Sequence, residues 1–354
     1  MYFECVNCNT CIEANIFISV CADCSYPLTI RQNDTSTLLR DSQIVTLGEG
    51  GSKIIQLSKF ARLVGVSKVH AKLENCNPTG SFKDRGSAMM IGAIKSAGIK
   101  NIVEDSSGNA GASVAAYSAS AGIQADIFVP ENAPKAKIDQ ISVYGATVHR
   151  VPGHRDNSEK QAKQFVSENQ FLYASHNTSP YFLEGTKSFA REVVDELHSK
   201  MPDHIVMPVG NGSLLISTYL ALKELWVTGK IGILPKLYAI QSDVIKPIVS
   251  ELHNIEWTFN PKQITCADGI ASSNPPRMKQ ILQAIKESKG DSISVSEDSI
   301  QRYRKVLAQS EGIFMEPTSA APFAGLETLV EKGTIDGRDS VLIPVTGSGL
   351  KSPT

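Results

Sequence analysis

A lysine stands where a helix is predicted to begin. Residues 77–86 read N-P-T-G-S-F-K-D-R-G, and the pattern that follows predicts a helix over 82–97. Ser81 is predicted to cap this helix, with Asp84 three residues later completing a capping box. Lys83 then lies in the first turn, where a positive charge is disfavoured by roughly 0.3–1 kcal/mol. A lysine kept partly neutral there could attack an aldehyde; the alternative is a solvated lysine paired with Asp84.

A second loop, made of small residues, follows a predicted strand. The strand covers Asn101–Glu104, and residues 106–113 then read S-S-G-N-A-G-A-S at the start of a helix predicted over 109–121. The N–H groups of a helix start, together with the hydroxyls of Ser106 and Ser107, suit a carboxylate. The alternative is a close helix–sheet contact that the small side chains permit.

Two further loops lie in the C-terminal half. The third loop consists of Gly210, Asn211, Gly212 and Ser213. It joins a strand predicted over 205–209 to a helix predicted over 213–227, and its glycines and hydroxyl suit a phosphate. It lacks the lysine of a Walker loop and the third glycine of the dinucleotide pattern. In the fourth loop, T-G-S-G-L-K, Thr346 presents a hydroxyl at a strand end without a neighbouring carboxylate. Either loop alone is also compatible with an ordinary tight turn.

Five of the seven cysteines fall within the first 24 residues. Two C-x-x-C pairs are formed by Cys5, Cys8, Cys21 and Cys24. The segment E-A-N-I-F-I-S-V between them is predicted to be a strand that brings the pairs together. Four thiolates at this spacing predict a structural zinc site without an open position for catalysis. The alternatives are two disulfides, or Cys11 in place of another ligand. A segment of about 28 residues has little core, so the metal would supply its folding energy.

Composition restricts the class of protein. The chain has 354 residues, with 35 Lys+Arg against 36 Asp+Glu and a net charge of −1. This balance argues against a dedicated nucleic-acid binder. Hydrophobic residues make up 42% and charged residues 20%, as in a soluble globular protein. No apolar run reaches the ~20 residues of a membrane span, and no signal peptide is visible. We therefore expect a cytoplasmic protein without membrane or nucleic-acid partners.

The elements that position the four loops alternate along the chain. After a polar connector over residues 31–43, short strands alternate with amphipathic stretches, including a single helix predicted over 185–200. This alternation predicts an α/β fold with two doubly wound, mostly parallel-sheet domains and a small N-terminal zinc ribbon. In such sheets, ligands bind beyond the C-terminal ends of the strands, where glycine-rich loops enter helices.

Taken in order, the four loops resemble those of threonine synthases and their relatives. The segment E-P-T-S-A-A at 316–321 fits the same group, and the resemblance spans residues 45–351. These are pyridoxal-phosphate enzymes of the tryptophan-synthase β-like fold (fold type II), and a branch of them carries an N-terminal zinc ribbon. The implied domains are a ribbon at 1–28, a large cofactor-phosphate-binding domain at 29–75 and 177–354, and a small mobile domain at 76–176. A homodimer is usual for the family.

The resemblance also implies a role for each loop. Lys83 would hold pyridoxal phosphate as a Schiff base and shuttle protons at Cα and Cβ, and Asn109 would hydrogen-bond the phenolic oxygen. The third loop would bind the cofactor phosphate, and Thr346 would meet the pyridine nitrogen without forcing its protonation. The α-carboxylate of a small amino-acid substrate would lie at the second loop, on Ser106, Ser107, Gly108 and Ala110. His176, Asn177 and Phe182 complete the predicted substrate-binding set.

One position departs from the family pattern. Threonine synthases act on O-phosphohomoserine, and in the family an arginine commonly precedes the L-E-G segment. This chain has Phe182 there, and Ala110 follows Asn109 where many relatives have a hydroxyl. Lys187 or Lys137 could replace the arginine, or Phe182 could be core packing. The predicted activity is therefore a threonine-synthase-like lyase reaction. The alternatives are elimination or replacement at Cβ of serine, threonine or an O-activated relative, or a non-catalytic cofactor or amino-acid sensor.

Overall fold

The structure, a computed structural model, describes residues 1–31, 44–131, 133–153 and 155–352. All of the predicted polar connector except Arg31 lies outside these residues. The strands of the described chain are β1 Tyr2–Glu4, β2 Cys11–Glu13, β3 Thr29–Arg31, β4 Ile54–Gln56, β5 Lys68–Lys72, β6 Asn101–Glu104, β7 Gln124–Pro130, β8 Thr147–Val151, β9 Leu172–Tyr173, β10 His204–Pro208, β11 Lys236–Ser242, β12 Asp291–Val295 and β13 Ser340–Pro344.

The helices alternate with these strands, as predicted. They are α1 Ser58–Val64, α2 Lys83–Ser96, α3 Asn109–Ala121, α4 Lys135–Val143, α5 Arg155–Asn169, α6 Pro180–Thr186, α7 Ser188–Glu196, α8 Ser213–Val227, α9 Pro247–His253, α10 Met278–Glu287, α11 Glu297–Glu311 and α12 Pro317–Glu331. Where one helix was predicted over 185–200, the structure has α6 and α7. The prediction missed α6, whose start at Pro180 lies outside it. Among the described residues, no helix is long and apolar enough to cross a membrane.

The chain forms two compact units, each of which is described by itself. The first consists of Met1–Glu49 and Asn77–Thr186, and the second of Gly50–Cys76 and Lys187–Thr354. The first unit thus includes the N-terminal cysteine segment together with Lys83 and the second loop. These limits differ from the predicted domain limits at 28, 75 and 176. The predicted division into a ribbon, a large cofactor-binding domain and a small mobile domain stays a prediction.

The first unit is built on a four-stranded parallel sheet, in the order β8-β7-β6-β9. In strand β6, Ile102, Val103 and Glu104 are buried, and α3 that follows it is lined with alanine and serine, so it packs closely. Gly122 ends α3 in the left-handed conformation that glycine adopts without strain. A three-stranded antiparallel sheet, β2-β1-β3, carries the cysteine segment, and its Phe3 packs edge-on against Tyr181 of α6.

The second unit contains a six-stranded sheet in the order β12-β11-β10-β13-β5-β4. Its strands are parallel except for β4, which runs antiparallel to β5. In its core, Phe60 packs edge-on against Tyr303 and Phe323, with ring centroids 5.7 and 5.2 Å away. The α/β class with mostly parallel sheets is therefore confirmed, and in both units the strands end where the predicted loops begin.

Candidate active site

The start of α2 differs from the predicted capping box. The helix begins at Lys83, and its N-cap residue is Phe82, which makes no side-chain cap. Ser81 is fully buried, and its hydroxyl has no hydrogen-bond partner among the described residues. The carboxylate of Asp84 instead accepts hydrogen bonds from the N–H of Thr79 at 2.7 Å and from its hydroxyl at 2.5 Å. The capping-box prediction is wrong, because Asp84 stabilises the turn before the helix.

The amine of Lys83 lies close to two aromatic rings. Its Nζ atom is 4.8 Å from the ring centroid of Phe82 and 5.5 Å from that of Phe182. Phe182 is fully buried, and its ring covers Gly86, where an added Cβ would lie 2.6 Å from the ring. The side chain at 182 is therefore core packing that also lies close to the lysine, which combines two readings that the sequence kept apart.

The second loop folds back onto the helix that follows it. Helix α3 begins at Asn109, with Gly108 as an N-cap residue that makes no side-chain cap. The backbone carbonyl of Ser106 lies so close to Gly111 that a Cβ there would clash with it. The N–H of Gly108 donates to the Ser106 hydroxyl at 3.3 Å. The first-turn N–H groups of a helix have no intrahelical acceptor, so the loop surrounds a site that fits a carboxylate.

A buried acid–histidine pair lies at the same edge of this sheet. The Nδ1 atom of His176 is 2.6 Å from Oε1 of Glu104, and both side chains are nearly inaccessible, at 4% and 0%. The next residue along, Asp105, accepts a hydrogen bond from the hydroxyl of Tyr173 at 2.9 Å. Burial, and secondarily the charge of Asp105, raises the pKa of Tyr173 well above its usual value. His176 was predicted to bind substrate, but its partner Glu104 was not singled out. The feature of the sequence that could have indicated Glu104 is an acidic residue at the end of a predicted strand.

In the second unit, the third loop leads into a helix start as predicted. Helix α8 begins at Ser213, and Gly212 precedes it with a φ of 83°. An added Cβ at Gly210 would lie 2.9 Å from Cα of Ile270, and one at Gly212 would clash with Ile281. Both positions therefore require glycine, because the neighbouring residues leave no room for a side chain. Asn211 accepts a hydrogen bond from the Ser272 hydroxyl at 2.6 Å, which ties the loop to the neighbouring segment.

Thr346 is buried at the end of β13. Its hydroxyl is 2.8 Å from that of Ser319 on α12. The sequence predicted no neighbouring carboxylate, but the carboxylate of Glu316 lies against Gly347, where an added Cβ would clash with it. Glu316 is 1% exposed. The tertiary structure therefore brings an acidic side chain against Gly347, the residue that follows Thr346.

The four predicted metal ligands form one cluster. The Sγ atoms of Cys5, Cys8, Cys21 and Cys24 all lie within 4.8 Å of one another. Three of the sulfur–sulfur distances are 3.5–3.6 Å. Zinc–sulfur bonds of about 2.3 Å in a tetrahedron separate the sulfurs by about 3.8 Å, so the cluster fits zinc.

The segment around the cluster differs from its prediction in one respect. Strand β2 ends at Glu13, and the segment predicted as a strand turns instead, with the N–H of Phe17 donating to the Asn15 side chain at 2.9 Å. Burial raises the pKa of Cys5 to about 12, whereas hydrogen bonding by Thr10 lowers that of Cys8 to about 6. Cys11 is exposed, with its Sγ 3.8 Å from the carbonyl of Asn9.

Residues that fit the parts of a pyridoxal phosphate are therefore present: a lysine at a helix start, a glycine loop before α8, and a buried hydroxyl at a strand end. The family described as pyridoxal-phosphate-dependent enzyme matches residues 45–347, a range that includes all of these groups. The chain belongs to this family, and it is a pyridoxal-phosphate-dependent lyase of fold type II.

Curated relatives indicate which lyases of this family the chain is similar to. The chain is 37% identical to the threonine synthase of Methanocaldococcus jannaschii over 318 residues, which are 88% of this chain and 78% of that protein. It is 35% identical to the threonine synthase of Methanosarcina acetivorans, with 87% and 77% covered. Among solved structures, maize serine racemase superimposes with a TM-score of 0.73 at 21% identity, covering 84% of this chain and 88% of that one. This structural likeness reflects the shared fold.

Proposed function

We propose that this lyase is a threonine synthase, which converts O-phosphohomoserine and water into threonine and phosphate. The observation that carries the proposal is the similarity to curated threonine synthases, which extends over 88% of this chain. In the first unit, the lysine at the start of α2 and the carboxylate-fitting loop at the start of α3 support the same activity, because an amino-acid lyase needs both a base and a carboxylate anchor.

Four sets of residues would hold the cofactor. When bound, the cofactor supplies an electron sink for the negative charge that develops at the substrate Cα. Lys83 would attach it covalently and, once displaced by the substrate, would take the Cα proton and move a proton at Cβ. Asn109 would hydrogen-bond its phenolic oxygen, and Thr346 would contact its pyridine nitrogen. Its phosphate would lie on Gly210, Asn211, Gly212 and Ser213, whose backbone N–H groups at a helix start suit an anion.

The substrate would be oriented by the second loop. Ser106, Ser107 and the N–H groups of Gly108 and Ala110 would bind its α-carboxylate, which places the Cα–H bond in a fixed position before Lys83 acts. His176, Asn177 and Phe182 would then line the space for the side chain that carries the leaving group.

A second candidate is favoured by one observation. Phe182 is an apolar, fully buried wall at Lys83, where threonine synthases commonly have an arginine. Losing a guanidinium from a phosphate site weakens phosphate recognition. The second candidate is therefore elimination or replacement at Cβ of serine, threonine or an O-activated relative.

A substrate screen separates the two candidates. The holoenzyme is given O-phosphohomoserine, serine, threonine and O-acetylserine, while cofactor absorbance and the release of phosphate, ammonia and keto acid are followed. Efficient formation of threonine and phosphate in equal amounts supports the threonine synthase proposal. Ammonia and keto acid from serine or threonine, without turnover of O-phosphohomoserine, would overturn it in favour of the second candidate.

Three further properties belong to the same proposal. Cys5, Cys8, Cys21 and Cys24 would bind one structural zinc ion, since four thiolates at these distances fill a tetrahedral site. The enzyme would form a homodimer, and it would act in the cytoplasm on a small amino acid without a nucleic-acid or membrane partner. Metal analysis and sedimentation of the purified protein test the first two.

A further inference from the structure

The hydroxyl of Thr346 has one hydrogen-bond partner among the described residues, the hydroxyl of Ser319 on α12. The two oxygens are 2.8 Å apart, and both residues are buried. Either oxygen can be the donor in such a pair, because a hydroxyl carries one proton and can also accept. The direction of this bond therefore decides whether the proton of Thr346 points at Ser319 or is left for another acceptor.

The backbone of Gly347 determines that direction. Its N–H, which can only donate, bonds the Ser319 oxygen at 2.8 Å. The proton of Ser319 then has two acceptors, the Thr346 oxygen at 2.8 Å and the Gly347 carbonyl at 3.3 Å. That carbonyl already accepts the N–H of Glu316 at 3.1 Å, and 2.8 Å is the usual length of an O–H···O bond. The proton of Ser319 is therefore directed to Thr346.

This arrangement leaves the proton of Thr346 for a ligand. In the proposed function the group that Thr346 meets is the pyridine nitrogen of the cofactor. We infer that Ser319 is a positioning residue of the cofactor site, which holds Thr346 as a hydrogen-bond donor to an unprotonated pyridine nitrogen. The inference rests on the proposed function, in which Thr346 contacts that nitrogen.

The resulting chain of three hydrogen bonds runs in one direction. It leads from the N–H of Gly347 through the hydroxyls of Ser319 and Thr346 to the ring nitrogen. Bonds aligned in this way polarise and strengthen one another. Thr346 alone could donate to a neutral nitrogen or accept from a protonated one. Ser319 and Gly347 remove this choice, although neither of their side chains touches the ring.

The nitrogen-15 resonance of the bound cofactor tests the role of Ser319. The protein is loaded with pyridoxal phosphate labelled at the ring nitrogen, and the wild type should give the chemical shift of a neutral, hydrogen-bonded pyridine. Ser319→Ala should move the resonance to higher frequency, towards that of a neutral pyridine without a donor. The shift of a protonated ring in the wild type, or an unchanged resonance in Ser319→Ala, would overturn the inference.

A control variant separates this effect from the loss of any buried hydroxyl. Ser292 is a buried serine on β12, three strands from β13 in the same sheet, and its hydroxyl donates to the carbonyl of Ala239 at 3.1 Å. Ser292→Ala should leave the ring-nitrogen resonance at its wild-type position. A displacement as large as that in Ser319→Ala would mean that the resonance reports general loosening, and the inference would fall.

A double variant tests whether Ser319 acts through Thr346. Thr346→Val removes the donor to the ring and should itself move the resonance to higher frequency. Adding Ser319→Ala should then leave the resonance where Thr346→Val alone places it. If Ser319→Ala moved the resonance equally in both backgrounds, Ser319 would act by another route and the inference would be wrong.

Neutron diffraction from the deuterated wild-type holoenzyme covers the case in which the variants do not fold. We expect one deuteron on Ser319 directed to Thr346, and one on Thr346 directed to the ring nitrogen. A Thr346 deuteron directed to Ser319, or a ring nitrogen out of reach of Thr346, overturns the inference. These positions do not depend on which amino acid the enzyme uses. If they are found while O-phosphohomoserine is not turned over, the threonine synthase proposal fails and the inference stands.

Discussion

Lys83 lies close to the rings of Phe82 and Phe182, and it stands at the start of α2. We predict that purified enzyme is yellow, and that borohydride attaches the cofactor to the peptide that contains Lys83. Lys83→Ala should retain some cofactor through the third loop but lose turnover by about 10²-fold or more. Lys95→Ala, on an exposed position of the same helix, is the control and should behave as the wild type. A label on any other lysine would contradict the assignment.

The ring of Phe182 leaves room only for glycine at position 86, because an added Cβ would lie only 2.6 Å from the ring. We predict that Gly86→Ala lowers the free energy of unfolding by about 1–3 kcal/mol, as overpacking of a core does. Denaturant unfolding followed by fluorescence measures the change. Gly232→Ala, at an exposed position with no atom within 4 Å of the added Cβ, should change stability little.

A double variant identifies the cause. Phe182→Leu replaces the ring with a smaller side chain, so adding it to Gly86→Ala should restore part of the lost stability. If the two changes were simply additive, the contact between Gly86 and Phe182 would not be the source of the loss.

At the scale of elements, α2 and α6 approach each other through reciprocal glycines. The ring of Phe182 on α6 covers Gly86 on α2, and Gly185 on α6 lies against the carbonyl of Arg85 and Cβ of Met89. The L-E-G segment that follows Phe182 thus has a packing role. The close approach holds the ring of Phe182 near Lys83, so the packing of two helices determines what surrounds the lysine.

Helices α8 and α10 are joined by a polar cluster whose effect on stability depends on pH. Lys223 donates to Glu287 at 2.6 Å, and the hydroxyl of Tyr219 also donates to Glu287. Hydrogen bonds from Lys223 and then Tyr219 lower the pKa of Glu287 from 4.5 to about 2. A lowered pKa contributes stability above the unfolded value of 4.5, and that contribution is lost as pH falls towards 2.

We therefore predict a pH-dependent effect of Glu287→Gln. Near neutral pH the variant should be less stable than the wild type by about 1 kcal/mol at most, because the two charged side chains are about 40% exposed and solvent screens them. The difference should shrink as pH falls below 4.5. Urea unfolding at a series of pH values measures it, and a difference that stays constant across the series would rule out ionisation of Glu287 as the cause.

At the scale of the whole molecule, the cysteine segment belongs to the same hydrophobic core as α6. Phe3, Cys5 and Cys21 are buried in one cluster with Tyr181 and Phe182. A metal bound by the thiolates would thus stabilise a sheet that packs on the helix next to Lys83. This continuity gives a structural metal an influence on the first unit without a chemical role in catalysis.

We predict one zinc ion per chain. Cys5→Ser and Cys24→Ser should lower the metal content and expose the first 31 residues to proteolysis, whereas Cys11→Ser, at an exposed position outside the cluster, should do neither. Metal analysis and limited proteolysis provide the measurements. If chelation stopped turnover while the fold and assembly stayed intact, the metal would have a direct part in the chemistry.

Much of the fold and of the candidate site follows from local sequence. The helices predicted over 109–121 and 213–227 have those limits in the structure, because each begins after a glycine loop and continues through small or apolar residues. The cysteine cluster was predicted from spacing, since two C-x-x-C pairs have few ways to bring four sulfurs together. Local patterns failed at the start of α2, where the hydroxyl of Ser81 is buried without a hydrogen-bond partner among the described residues and Asp84 bonds Thr79 instead.

The sequence by itself determined the order of the loops, the α/β class and the cofactor family, because glycine turns and helix starts are encoded within a few consecutive residues. Only the tertiary structure decided which side chains surround them. Glu104 and His176 are 72 positions apart, and Phe182 reaches Gly86 only because α6 packs on α2. Such contacts depend on how sheets and helices pack, and a local pattern of residues does not predict this packing. The surroundings of the lysine therefore come from the packing, and its position at a helix start comes from the sequence.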